Sequence, residues 1–374
     1  MFIAFYQNYI SFGLNYKKKS MKLLKPLLLL TFSLFIGFVS AQDMHFTMYN
    51  MSPLTMNPAL SGAFSGTLRL GGIYRNQAFS VSNARAYSTP SFYADAPIVR
   101  GFRKQDWVGV GISFLSDKSG FLKLETTRAA LSASYHLGLN KKGTSVLTLG
   151  IQGGSTTRRI TQPDPQDNNY IAIAASEIFP TSVGGGGAGG IGDPVLNADQ
   201  KALSDYAAGL LFRTLINDDS NLELGFSTGH IAFSRRSNSG YAFITQGDGL
   251  KRPLLFAAHA KYEMPVTEKW SIAPTAFWQM EGSAMEILIQ GWGGYQLNED
   301  FKLNFGLGYR IGDALNVLVG ADYKDLRVGL AYDITLSSLS DANNYSGGVE
   351  IGAWYIIKKY KKPVVKPKVL CPRF

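Results

Sequence analysis

Residues 301–310 read FKLNFGLGYR, and the alternation in this stretch decides the fold. Phe301, Leu303, Phe305, Leu307 and Tyr309 fall on one side of an extended chain. Lys302, Asn304, Gly306, Gly308 and Arg310 fall on the other. Successive side chains of a strand point to opposite faces, so period-two alternation predicts a strand with one apolar and one polar face. Residues 326–334, LRVGLAYDI, repeat it, with Leu326, Val328, Leu330, Tyr332 and Ile334 set against Arg327, Gly329, Ala331 and Asp333.

A soluble sandwich produces the same alternation. Three features argue for a membrane instead. The segments run about 9 to 12 residues, longer than the usual soluble strand and matched to a tilted membrane strand. Their polar face mixes glycine with Arg, Lys, Glu and Asp, as expected of a lumen holding water and ion pairs. Aromatic residues recur near the ends of the apolar faces, at Trp107, Tyr135, Tyr206, Tyr262, Trp270, Trp278, Tyr309, Tyr332 and Tyr355, in the manner of an interfacial girdle.

Fourteen such segments begin near residues 67, 87, 107, 122, 145, 204, 221, 253, 269, 284, 300, 315, 325 and 345. An even number returns the chain to its starting side. The second and ninth are the weakest, because Pro90 and Pro274 lie within them and proline fits poorly in a paired strand. Connections from odd to even segments include the two longest, 156–203 and 229–252, whereas even-to-odd ones such as MPVTEK, LNED and KD are short. The reading is all-β: a transmembrane antiparallel β-barrel of the bacterial outer membrane, with about 14 strands and periplasmic N- and C-termini.

Composition agrees. Forty glycines, 19 tyrosines, 23 phenylalanines and 13% aromatic residues suit an all-β chain rich in turns. The formal charge of +10 is concentrated at the two ends of the chain: Lys17, Lys18, Lys19, Lys22 and Lys25 lie in the leader, and residues 358–374, KKYKKPVVKPKVLCPRF, carry seven cations and no acid. The intervening body is close to neutral, so no nucleic-acid partner is expected. The single cysteine, Cys371, excludes a disulfide framework.

The domain plan follows from these shifts. Residues 1–20 read as an upstream extension. Residues 21–41 read as a signal peptide, with lysines, an apolar run from Leu27 to Val39 and small residues before cleavage after Ala41. Residues 42–66 form a periplasmic N-terminal segment or plug, 67–357 the barrel, and 358–374 a basic periplasmic tail. Within the N-terminal segment, TMNPALSG at 55–62 is too apolar for a surface loop: Pro58 restricts Asn57 to extended geometry, Gly62 offers a turn with positive φ, and Met56 and Leu60 need burial.

No catalytic chemistry stands out. His45, His136, His230 and His259 have no metal-ligand spacing, no GxSxG elbow occurs, and the glycine run in 184–190 lacks the Lys-Ser or Lys-Thr of a phosphate loop. No catalytic, cofactor-binding or metal residues are therefore assigned, and no cofactor is expected. His136 and His259 point to the lumen by phase. Glu223, Lys261, Glu263, Glu286, Lys302, Arg310, Arg327, Asp333 and Glu350 do likewise and are expected to pair across it.

The leader ending in AQD, the segment HFTMYNMSPLTMNPALSG at 45–62, the glycine- and aromatic-rich barrel and the final CPRF together resemble the PorP/SprF family of type IX secretion and gliding proteins of Bacteroidota. NPALSG is close to the family's usual NPALAG, and the Cys-Pro-Arg-Phe ending is similar to the SprF branch. The resemblance implies a non-enzymatic outer-membrane barrel that supports secretion and surface anchoring of a large adhesin by binding its C-terminal domain. It also implies contacts with the periplasmic ring or a peptidoglycan-associated lipoprotein, besides outer-membrane lipid. The residues carried over, as a plug or partner-binding element, are Asn57, Pro58, Ala59, Leu60 and Gly62, with Cys371, Pro372, Arg373 and Phe374 at the tail. Two other classes compete: a passive channel for hydrophobic or small solutes, and a membrane-embedded lipid enzyme.

Overall fold

The computed structural model describes residues 46–77, 87–100, 105–119, 124–160, 201–217, 219–231, 253–338 and 340–359. Among them are fourteen strands: β1 Leu68–Gln77, β2 Tyr87–Arg100, β3 Trp107–Ser119, β4 Leu124–Gly138, β5 Ser145–Ile160, β6 Lys201–Asn217 and β7 Ser220–Ile231 form one half. The other half is β8 Leu255–Pro265, β9 Trp270–Glu281, β10 Ala284–Asn298, β11 Phe301–Arg310, β12 Ala314–Tyr323, β13 Leu326–Thr335 and β14 Ser346–Ile357. Each pairs antiparallel with its sequence neighbours, and β1 pairs with β14 from Leu68↔Ile357 to Gln77↔Gly348, closing the barrel. Two one-turn helices accompany them, α1 at Pro53–Met56 and α2 at Ser340–Asn343.

The sequence alternation maps directly onto the wall. In β11, Phe305, Leu307 and Tyr309 are exposed while Gly306, Gly308 and Arg310 are buried. A soluble protein would do the reverse; apolar side chains point outward here because the surrounding medium is hydrocarbon. The connections 218–219, 266–269, 299–300 and 324–325 lie at one end, and the two longest, 161–200 and 232–254, follow odd-numbered strands at the other, together with the short turns 282–283 and 311–313.

Both proline-bearing strands form. Pro90 pairs toward β1 opposite Tyr74, but the β2–β3 ladder skips from Ser88↔Lys118 to Ser91↔Leu115, so no N–H is demanded of it on that side. Pro274 sits opposite Gly291 of β10, and the β8–β9 ladder skips from Lys261↔Thr275 to Met264↔Ile272.

Two expectations need correction. The strands of one wall are longer than the apolar alternation suggests: β4 has 15 residues, β5 16 and β6 17. Their upper ends carry polar residues on the outer face too, such as Thr127, Ser155 and Thr157, so the alternation fades where the strands pass beyond the lipid. Trp107 does not belong to the outer girdle. It is in phase with Gly109 and Gly111, faces inward, and stacks on the His136 ring with centroids 4.4 Å apart. Tyr135, Tyr206, Trp270, Tyr309, Tyr332 and Tyr355 do remain exposed on the outer face.

The inward charges pair, as the alternation predicts. Glu286, Arg310 and Asp333 join in one chain of ion pairs; Lys261 and Lys302 share Glu263; Arg327 meets Asp322, and Arg75 meets Glu350. Glu223 approaches His259 at 3.6 Å.

Candidate functional site

The barrel interior is occupied by the chain's own residues 46–63. A 3-10 turn at Tyr49–Met51, helix α1 and a second 3-10 turn at Pro58–Leu60 make up this segment. Prolines at the first position of α1 and of the second turn preset φ where no intrahelical N–H is needed. Asn57 between them is extended, with φ −155° and ψ 118°, as a residue before proline should be.

Irregular backbone survives at membrane depth only when protein satisfies its polar groups. Side chains from around the wall do so. Gln290 Nε2 donates to the Thr47 carbonyl at 2.9 Å, Gln152 Nε2 to Leu54 at 3.1 Å and Ser227 Oγ to Met56 at 2.7 Å. Arg69, Trp107 and Arg213 donate to the carbonyls of Leu60, Gly62 and Ala63. Ser134 Oγ and His136 Nε2 both reach the Ser61 carbonyl, at 2.6 and 2.8 Å. His136 is thus a satisfied polar filler.

Asn57 ties this segment to the wall. Its Oδ1 accepts from the Ala59 N–H at 2.9 Å, and its Nδ2 donates to the Leu210 and Phe226 carbonyls of β6 and β7 at 3.0 and 3.3 Å. Ala59 and Leu60 pack with Ala63 and Leu211, and Met56 lies against this cluster. Gly62 takes φ 66°, donates its N–H to Asp95 Oδ2 at 2.7 Å, and approaches Gly109 so closely that an added Cβ would stand 2.7 Å from the Gly109 Cα. Pro58 is buried beside Gly150 and Gly209. Cys371, Pro372, Arg373 and Phe374 lie outside the described residues.

The inward glycines have a use the sequence did not disclose. A Cβ on Gly150 would lie 2.5 Å from the Ala59 Cα, one on Gly109 2.7 Å from the Ser61 carbonyl carbon, and one on Gly209 3.0 Å from Asn57 Cγ. The polar face of these strands is therefore a bare seat for residues 57–62 rather than the wall of a water-filled lumen. The only signal in sequence is the glycine enrichment itself.

The other end of the segment is fixed by charge. Glu350 accepts the Thr47 and Met48 N–H groups at 2.6 and 2.7 Å, one on each oxygen, and pairs with Arg75. Thr47 Oγ1 donates to Asp333 at 2.8 Å and accepts from Arg75 at 3.0 Å and Arg310 at 2.7 Å. Thr47, Arg75, Arg310, Asp333 and Glu350 are each no more than 3% exposed. Tyr49 stacks on Phe277 at 4.9 Å, and burial pushes its phenol up to about 12, so it stays neutral. None of these anchoring residues except Arg310, Asp333 and Glu350 was singled out from sequence, because contacts across 303 positions leave no local mark.

This architecture can be set beside known proteins. Residues 38–355 match the family described as Type IX secretion system membrane protein PorP/SprF. The chain belongs to the PorP/SprF family. As a PorP/SprF protein with a closed transmembrane barrel, it is an outer-membrane component of the type IX secretion system. Among curated proteins, none matches it in sequence. Similar solved structures include the Ralstonia pickettii toluene transporter TbuX, at 10% identity and a TM-score of 0.46, with 81% of this chain and 92% of that one covered. Another is the monoaromatic hydrocarbon channel CymD, at 8% identity and 0.46, covering 84% and 95%. The KdgM porin shares 9% identity at 0.36, covering 78% and 99%.

Proposed function

We propose that this PorP/SprF protein is a non-enzymatic partner-holding barrel. It supports secretion and surface anchoring of a large adhesin by binding the adhesin's C-terminal domain, and it contacts periplasmic components of the machinery. In this reading the chain enters β1 and leaves β14 on the periplasmic side, Thr47 is held toward the opposite end beside Arg75, Arg310 and Asp333, and the connections that follow β5 and β7 face the exterior, where the cargo is held. Residues 46–63 act as a plug, with Asn57, Pro58, Ala59, Leu60 and Gly62 at its seated end. The ending Cys371, Pro372, Arg373 and Phe374 serves as a periplasmic docking element of SprF type.

The observation that carries the reading is the occupied interior. A passive channel needs a continuous path, and here polar groups from strands on all sides of the barrel are spent on the chain's own backbone. The test is a pull-down of the tagged protein from native membranes, with bound proteins identified by mass spectrometry, alongside adhesin display in a deletion strain. Recovery of an adhesin C-terminal domain and loss of display are expected. Normal display in the deletion strain overturns the reading.

A further inference from the structure

The segment inside the barrel runs in one direction, and β1 serves as a ruler for it. Arg69, second in that strand, donates from Nη2 to the Leu60 carbonyl at 3.3 Å, and Arg75, eighth in the same strand, donates from Nη1 to Thr47 Oγ1 at 3.0 Å. The two contacts are six residues apart on the strand, about 20 Å at about 3.3 Å per residue. Between them, Ile73 packs with Met48 and Met51. Neighbouring strands agree. At the foot, Trp107, the first residue of β3, donates to the Gly62 carbonyl at 2.9 Å. At the top, Arg310, the last residue of β11, donates to Thr47 Oγ1 and pairs at 2.9 Å with Asp313 in the 311–313 turn. Thr47 therefore lies under a turn that follows an odd-numbered strand, at the end that carries the connections after β5 and β7.

A return path from Phe46 back down the interior is poorly provided for. The cleft left beside Asn50 and Met51 offers ≈ 50 Å³ to water, room for a few water molecules and not for a second passage of chain. The polar groups of the wall are also taken: Gln290, Gln152 and Ser227 already donate to the carbonyls of Thr47, Leu54 and Met56. A second stretch of irregular backbone at this depth would leave polar groups unsatisfied, at about 1–3 kcal/mol each. The way past Arg310 and Asp313 to the mouth is the shorter one, and it ends in water.

We propose that residues 46–63 are threaded through the barrel from its exterior mouth to its periplasmic floor, so that the chain preceding Phe46 is delivered to the outside of the cell. The expectation of a periplasmic amino-terminal end is then reversed, although β1 still begins at the periplasmic end. The proposal deepens the functional reading above and rests on it for which end is exterior. A cargo held at that mouth meets the free end of the plug without entering the barrel.

The test labels cysteines on intact cells with a membrane-impermeant biotin maleimide, in the full chain with Cys371→Ser. A glycine-serine insert carrying a single cysteine is placed between Gln42 and Asp43, long enough to stand clear of the barrel wherever the chain emerges. Ser338→Cys, exposed in the connection after β13, marks the exterior, and Glu299→Cys, exposed in the turn after β10, marks the periplasm. The insert should follow Ser338→Cys, labelling on intact cells at a rate within about twofold of it and at least tenfold above Glu299→Cys. An insert that follows Glu299→Cys, reacting only once the outer membrane is permeabilised, overturns the proposal. So does an insert that stays unlabelled after permeabilisation, because the end is then enclosed in the barrel. Heat-dependent gel mobility identifies a barrel that fails to fold, and Asp43→Cys without the insert is then read in the same way. If the two markers exchange behaviour and the insert follows Ser338→Cys, the orientation in the functional reading is refuted and the threading stands.

Discussion

Replacing Glu350 by alanine should release the upper end of the proposed plug while leaving the barrel closed. The carboxylate makes two hydrogen bonds to backbone N–H groups, of Thr47 and Met48, and one ion pair with Arg75. Hydrogen bonds to a charged group are each worth about 1.5–3 kcal/mol net. The ion pair joins two residues of the wall and persists whether or not the segment is seated, so only the two backbone hydrogen bonds enter the seating equilibrium, about 3 kcal/mol at the lower figure. At about 1.4 kcal/mol per decade, the ratio of displaced to seated segment should rise by roughly two orders of magnitude. The assay is labelling of a cysteine placed at Ser52, which is 1% exposed, by a membrane-impermeant maleimide in a Cys371→Ser background. The labelling rate should climb steeply in Glu350→Ala. Unchanged labelling in a variant that retains heat-dependent gel mobility would refute the anchoring argument.

Gly109→Val should unseat or distort residues 57–62 and lower the unfolding temperature, whereas Gly291→Val, whose Cβ meets nothing within 4 Å, should not; gel mobility after graded heating compares them. In single-tryptophan variants, brominated lipid should quench Trp270, which is 48% exposed on the outer face, and leave Trp107 bright; quenching of Trp107 would return it to the girdle. Leu307→Arg on the lipid face, at a residue 63% exposed, should cost about 2–4 kcal/mol in urea titrations of refolding into vesicles if it lies near the bilayer midplane. Pro274→Ala should stay within about 0.5 kcal/mol of the parent in the same titrations, because the ladder skips that position toward β8.

The wall of this protein is legible in its sequence because hydrocarbon outside and polar groups inside impose opposite demands on neighbouring residues. FKLNFGLGYR and LRVGLAYDI therefore announce their strands, and every strand begins within three residues of its expected start. Where only one of those demands acts, the signal weakens. The ends of β4 and β5 beyond the lipid carry polar residues on both faces, such as Thr126, Thr127, Ser155 and Thr156, and they extend further than the alternation reveals. Trp107 reads as a girdle residue by type and as an interior one by phase, and phase decides. The interior is legible only in part. TMNPALSG shows its need for burial, and Pro58 and Gly62 their local geometry, but its seat does not show. Gly109, Gly150 and Gly209 are matched to it across large sequence separations, and so is Glu350 to Thr47; such pairings leave no periodicity to read.

The most direct test is the conductance of the full-length protein in planar bilayers, compared with a variant lacking residues 46–63. The account predicts that the intact barrel is closed to ions and that the deletion opens a steady conductance. A full-length protein that conducts as an open pore, with no change on deletion, would contradict it and favour a passive channel.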